Sequence, residues 1–168
     1  MTLLQVRRLI EGKLPPLPDI SISAVQGMFL HMLAQSAPSP TLIEVGALGG
    51  YSAAWLASAV QGRDAPDCVV HTIERDAARA AFARQNLVAA GFGSVVNVLN
   101  EPALDAIPKL CRSMRRGSVG LVFLDAKKSE YTAYFQLLED FVAPVGEAPR
   151  ACGMRCAGSR FVRRGDGW

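Results

Sequence analysis

Thr41-Leu-Ile-Glu-Val-Gly-Ala-Leu-Gly-Gly-Tyr-Ser-Ala-Ala-Trp-Leu-Ala-Ser-Ala-Val60 is the stretch on which the fold turns. Its first five residues form a short run, apolar but for Thr41 and Glu44, of the length of a buried strand. Gly46-Ala-Leu-Gly-Gly50 reads as a turn, and residues 51–60 as an apolar helix. Strand, glycine turn and helix in that order make one half of a βαβ unit.

The pattern recurs downstream. Residues 68–73 predict a second strand ending at Glu74, and residues 77–90 a helix stopped by Gly91, which suits a helix C-terminus. Residues 95–99 predict a third strand and 103–111 a helix. After the basic turn 112–117, residues 120–124 predict a fourth strand that ends at Asp125, and residues 131–142 a last helix closed by Pro144. Strands alternating with helices imply right-handed crossovers and a parallel sheet covered on both faces, an α/β doubly wound, Rossmann-like fold. Ligands of such sheets collect beyond the carboxyl ends of the strands, where strand order reverses. Three of the four strands end at or near an acid, Glu44, Glu74 or Asp125, which points to a cationic or hydroxyl-rich ligand.

Upstream, residues 2–12 predict a short helix ended by Leu14-Pro-Pro-Leu-Pro18. In residues 24–34, Val25, Met28, Phe29, Met32 and Leu33 fall at helical spacing and are expected to face the core, the two methionines as packing. His31 in the same helix reads as a surface or capped histidine. A chain of 168 residues, half of them apolar and a fifth charged, is one globular domain. Its net charge of +3 is too small to argue for nucleic acid, and residues 150–168 alone carry five arginines against Asp166. Neither a signal peptide nor a membrane-spanning run is visible, so a cytoplasmic protein without membrane or nucleic-acid partners is expected. Cys68, Cys111, Cys152 and Cys156 lack the paired spacings of a zinc site and read as free thiols.

The glycines at 46, 49 and 50 depart from the register of a dinucleotide fingerprint, and an acid two residues before the first repels a diphosphate. Glu44 suits a ligand with an amino group. Glu74, 28 residues after Gly46, stands where an acid accepts both hydroxyls of a ribose. A lone acid there would read as a solvated strand end; the glycine turn beside it favours the ligand role.

Leu42-Ile-Glu-Val-Gly-Ala-Leu-Gly-Gly-Tyr-Ser-Ala54 resembles the cofactor loop of the cation-dependent O-methyltransferases, the group that includes catechol and caffeoyl-coenzyme A methyltransferases. The likeness continues in His71-Thr-Ile-Glu-Arg-Asp76, Gln85-Asn-Leu-Val-Ala-Ala-Gly91, Ala103-Leu-Asp-Ala-Ile-Pro-Lys109 and Val122-Phe-Leu-Asp-Ala-Lys-Lys-Ser-Glu-Tyr131. It implies S-adenosylmethionine as cofactor, with Glu44, Gly46, Leu48, Tyr51 and Ser52 around its methionine, Glu74 on the ribose and Ala103 near the adenine. Ile20 and Ile22 match positions that close over the cofactor. Asp125 would serve near the cofactor amine and as ligand to a divalent cation such as Mg2+. Lys128 matches the lysine that orients or deprotonates the accepting hydroxyl. The implied reaction is methyl transfer to a small, catechol-like hydroxylated acceptor, in a family whose members commonly pair into homodimers.

Three departures stand out. Lys127 replaces an acid or aromatic residue and is expected to compete with a metal for Asp125. Glu101-Pro102 replaces the Gly-Asp usual before Ala103. After Gly146 the family continues with a strand ending in Asp-Asn that completes the metal site, whereas this chain has Ala151 and Cys152 there, with Pro149 and Gly153 against a central strand. The expected organisation is thus a methyltransferase domain over residues 1–146 and a divergent basic tail over 147–168, with the C-terminal strands missing. A reading-frame change or premature end is the explanation the tail suggests. The rival to an active enzyme is a cofactor-binding remnant without turnover.

Overall fold

A computed structural model describes residues 21–63, 65 and 67–144. The predicted helix at 2–12, Ile20, Ala151, Cys152, Cys156 and the rest of the 147–168 tail lie outside these residues. The elements run α1 (Ala24–Ser36), β1 (Thr41–Val45), α2 (Tyr51–Val60), β2 (Val69–Ile73), α3 (Ala77–Ala89), β3 (Val96–Leu99), α4 (Ala103–Ser113), β4 (Leu121–Leu124) and α5 (Tyr131–Leu138). All the strands pair in parallel, in the order β3-β2-β1-β4. Strand order therefore reverses between β1 and β4, the switch point of a doubly wound sheet.

Side-chain alternation along each strand sorts the core into two layers. Leu42 and Val70 join Leu30, Leu56, Val60 and Leu87 on the face covered by α1, α2 and α3. Ile43, Val45 and Ile73 join Ile107, Tyr134 and Leu138 under α4 and α5. By the same parity Glu44 and Thr72, both fully buried, lie on the first face. The last helix is shorter than its sequence predicts. It tightens into a 3₁₀ turn at Glu139–Phe141, and Val142 then pairs with Val119 beside the sheet.

Helix α1 corrects a sequence expectation. Val25, Met28, Phe29, Met32 and Leu33 are exposed, while Gly27, Leu30 and Ala34 face inward. The helix carries no charged residue, so periodicity alone could not choose between two apolar stripes. The small residues decide it: Gly27 lies so close to the Trp55 indole of α2 that any Cβ would overlap the ring. His31, expected at the surface or in a cap, is half-buried against α2, its Nδ1 2.8 Å from Ser58 Oγ. Cys68 and Cys111 are free thiols. Among the described residues no helix is long and apolar enough to cross a membrane.

Candidate functional site

A cleft of about 860 Å³ opens over the carboxyl ends of the strands, and Gly46, Leu48, Ser52, Glu74, Ala103 and Asp125 all contribute to its wall. The sheet brings them together: the glycine turn leaves β1, Glu74 follows β2, Asp125 follows β4, and Ala103 opens α4 after β3.

The turn is wedged between two strand tips. Gly46 N–H donates to the Ile73 carbonyl at 2.9 Å, and Asp125 N–H to the Val45 carbonyl at 2.9 Å. Gly46 has φ +105°, and a Cβ on it would overlap the Asp125 carbonyl, so only glycine fits. Two residues on, Leu48 holds φ +48°, a conformation that non-glycine residues adopt at a cost of about 1 kcal/mol. Its N–H donates to Glu74 Oε2 at 3.0 Å, and Asp76 N–H to Glu74 Oε1 at 3.0 Å. From α3, Asn86 Nδ2 donates to the Gly49 carbonyl at 2.9 Å. Glu74 is thus a buried carboxylate with a backbone donor on each oxygen, and each oxygen keeps a second lone pair for a ligand.

Glu44 sits differently. It is completely enclosed and lies behind the cleft wall rather than in it. Thr72, its register partner on β2, donates Oγ1–H to Glu44 Oε2 at 2.5 Å, while Oε1 has no hydrogen-bond partner. Burial pushes the Glu44 carboxyl up to about 7; the Ser52 and Thr72 hydroxyls oppose that rise, and Asp125 and Glu74 add to it. The Tyr51 hydroxyl is also buried without a partner, and Tyr51 belongs to the cleft wall. Of the two, the Tyr51 hydroxyl at the wall fits a polar ligand.

On the far side, Lys127 departs from expectation. Its ammonium pairs with Glu130 Oε1 at 2.5 Å instead of with Asp125, and Tyr134 donates to Glu130 Oε2 at 2.5 Å. Three residues along a helical turn place Glu130 within reach of Lys127, which draws the cation away from the strand tip. Burial and the Glu130 carboxylate push the Tyr134 hydroxyl up to about 12. Ile22 is part of the wall and packs on the α1–α2 core. Lys128 is exposed at the start of a 3₁₀ turn and is not part of the wall. No group of three or more His, Cys, Asp or Glu side chains among the described residues is arranged to hold a metal ion; Asp125 alone does not make a divalent-cation site. Thr72, Asn86 and Tyr134 escaped sequence reasoning. Only Thr72 left a usable signal, its strand parity with Glu44.

Fold and cleft define a doubly wound α/β protein whose switch point offers acids and a glycine turn in place of a diphosphate cradle. The chain belongs to the O-methyltransferase family, whose sequence profile matches residues 1–146. It is similar to a catechol O-methyltransferase of Mycobacterium tuberculosis, 42% identical over 122 residues, which are 71% of this chain and 51% of that protein. It is also similar to a catechol O-methyltransferase of Niastella koreensis, 38% identical over 122 residues, 71% of this chain and 52% of that protein. In structure it is similar to the O-methyltransferase from Bacillus cereus in complex with SAH, with a TM-score of 0.74, 30% identity, and coverage of 84% of this chain and 61% of that one. The chain spans about half the length of the curated relatives it matches.

Proposed function

We propose that this protein is an S-adenosylmethionine-dependent O-methyltransferase acting on a small hydroxylated, catechol-like acceptor, with the activity carried by a domain over residues 1–146. The observation that supports it most is Glu74: a buried carboxylate fixed by two backbone donors, with acceptor capacity left for a vicinal diol. Bound S-adenosylmethionine supplies a methyl group on a sulfonium, a reaction in which the protein chiefly aligns the nucleophile and stabilises its charge.

In this reading Glu74 accepts the ribose hydroxyls and Ala103 lies along the adenine. Gly46, Leu48, Tyr51 and Ser52 surround the amino-acid end with Glu44 behind them, and Ile20 and Ile22 close over it. Asp125 adds negative charge near the cofactor amine. Lys128, next in the chain to the wall residue Lys127, orients or deprotonates the accepting hydroxyl. A divalent cation would need ligands beyond the described residues, and no step is assigned to one. Ala151 and Cys152, standing where the resemblance expects Asp and Asn, support a second reading, cofactor binding without turnover.

Calorimetric titration with S-adenosylmethionine, then methylation of a catechol panel with and without magnesium or chelator, separates the two. Binding with turnover is the expected result. Binding without turnover establishes the second reading, and a folded protein that gives no heat with the cofactor refutes both.

A further inference from the structure

The buried pair Thr72–Glu44 has no place among the groups that touch the cleft. Both side chains are sealed, so no ligand reaches Thr72. A hydroxyl at a fully buried strand position packs less well than valine unless it has a specific partner, and here the partner is a carboxylate one strand away at 2.5 Å. The parallel register Glu44↔Thr72 fixes that meeting. With Oε2 held by Thr72, the second oxygen of Glu44 has no hydrogen-bond partner, and the Ser52 side chain, which belongs to the cleft wall, is close enough to stabilise the carboxylate.

We infer that Thr72 is a positioning residue for the cofactor's amino-acid end: its hydroxyl holds the Glu44 carboxylate in one orientation behind the wall, from which Glu44 acts on the ligand's ammonium group through the Ser52 side of the turn. The inference rests on the proposed S-adenosylmethionine site. It separates two halves of that ligand, because Glu74, at the tip of the neighbouring strand, takes its donors from the backbone of Leu48 and Asp76 and owes nothing to Thr72.

The test compares binding of S-adenosylmethionine with that of 5′-methylthioadenosine, a thioether nucleoside without the amino-acid end, in the full-length wild type, Thr72→Val, Thr72→Ser, Glu44→Gln and the Thr72→Val/Glu44→Gln double variant. Thr72→Val is isosteric and should fold. It is expected to weaken S-adenosylmethionine about tenfold, the scale of one hydrogen bond to a charged group, while methylthioadenosine binds as to wild type. Thr72→Ser should restore the affinity, and Thr72→Val should add nothing once Glu44 is Gln. Equal loss for both ligands, an undiminished affinity in Thr72→Val, or full additivity of the two substitutions would overturn the inference. A wild type that binds methylthioadenosine but not S-adenosylmethionine overturns it too, and one that binds neither removes the function it rests on.

Discussion

The tips of β1 and β2 stand side by side, each with one buried glutamate, yet the two carboxylates are supported in opposite ways. Glu74 has a backbone N–H on each oxygen and a place in the cleft wall. Glu44 has one hydroxyl donor, one bare oxygen and no access to solvent. Backbone donors favour the charged form, while burial without donors disfavours it. One tip therefore offers fixed acceptor oxygens suited to neutral hydroxyls. The other holds a carboxyl that burial pushes up to about 7, whose charged form a cation arriving in the cleft would favour.

Removing Glu74 should give the largest effect, because it strips the ligand's acceptor and orphans two backbone donors at once. Glu74→Ala is expected to weaken S-adenosylmethionine and methylthioadenosine alike by about a thousandfold, from two charge-assisted hydrogen bonds of roughly 2 kcal/mol each. Isothermal titration with both ligands reads this directly. A loss confined to S-adenosylmethionine would erase the contrast between the tips.

Glu44 should behave in the opposite sense towards stability. Its folded-state value of about 7 lies above the 4.5 of an unperturbed glutamate, so the native state holds a proton that the unfolded chain has released between those two pH values. The stability this provides is present below 4.5 and lost as pH rises through 7. Glu44→Gln, which mimics the protonated form, is expected to stabilise the ligand-free protein by about 3 kcal/mol at pH 8 and by progressively less as pH falls towards 4.5. Denaturant unfolding across that range measures it. In the wild type, S-adenosylmethionine binding should release a proton and strengthen about fivefold from pH 6 to pH 7, a slope that Glu44→Gln abolishes. A pH-independent difference in stability would show that burial does not raise the Glu44 carboxyl in the folded protein.

Most of the fold was legible because the elements carry their own punctuation. Residues 41–45 and 51–60 fall where the strand and helix lie, and the other strands and α3 shift by a single residue. Helix α4 instead runs past its predicted end to Ser113. Asp125 and Glu74 were legible as strand-end acids. What sequence could not supply was the side of an element or the partner of a side chain. The uncharged α1 offers no polar stripe, so its buried face is set by how closely Gly27 approaches Trp55. Lys127 could be placed near Asp125 by number, but its pairing with Glu130 depends on a 3₁₀ turn that no periodicity announces. Whether Glu44 lines the cleft or lies behind it depends on the path of the glycine turn.

Leu48 joins the two tips, since it belongs to the turn above Glu44 and donates its N–H to Glu74. Its left-handed φ of +48° stores about 1 kcal/mol that glycine would not, but glycine also adds about 0.5–1 kcal/mol of unfolded-chain entropy. The two backbone terms nearly cancel, so any fall in the thermal midpoint of Leu48→Gly reads the packing of the half-buried leucine side chain. Binding need not share that cancellation, because a glycine turn samples conformations in which the N–H no longer meets Glu74, and ordering them falls on the ligand. A loss of only a few-fold in affinity for both S-adenosylmethionine and methylthioadenosine is expected, measured beside the midpoint by scanning calorimetry. A midpoint raised by several degrees, with affinity intact, would mean that the strained turn contributes nothing to holding Glu74, and that the β2 tip is organised by Asp76 alone.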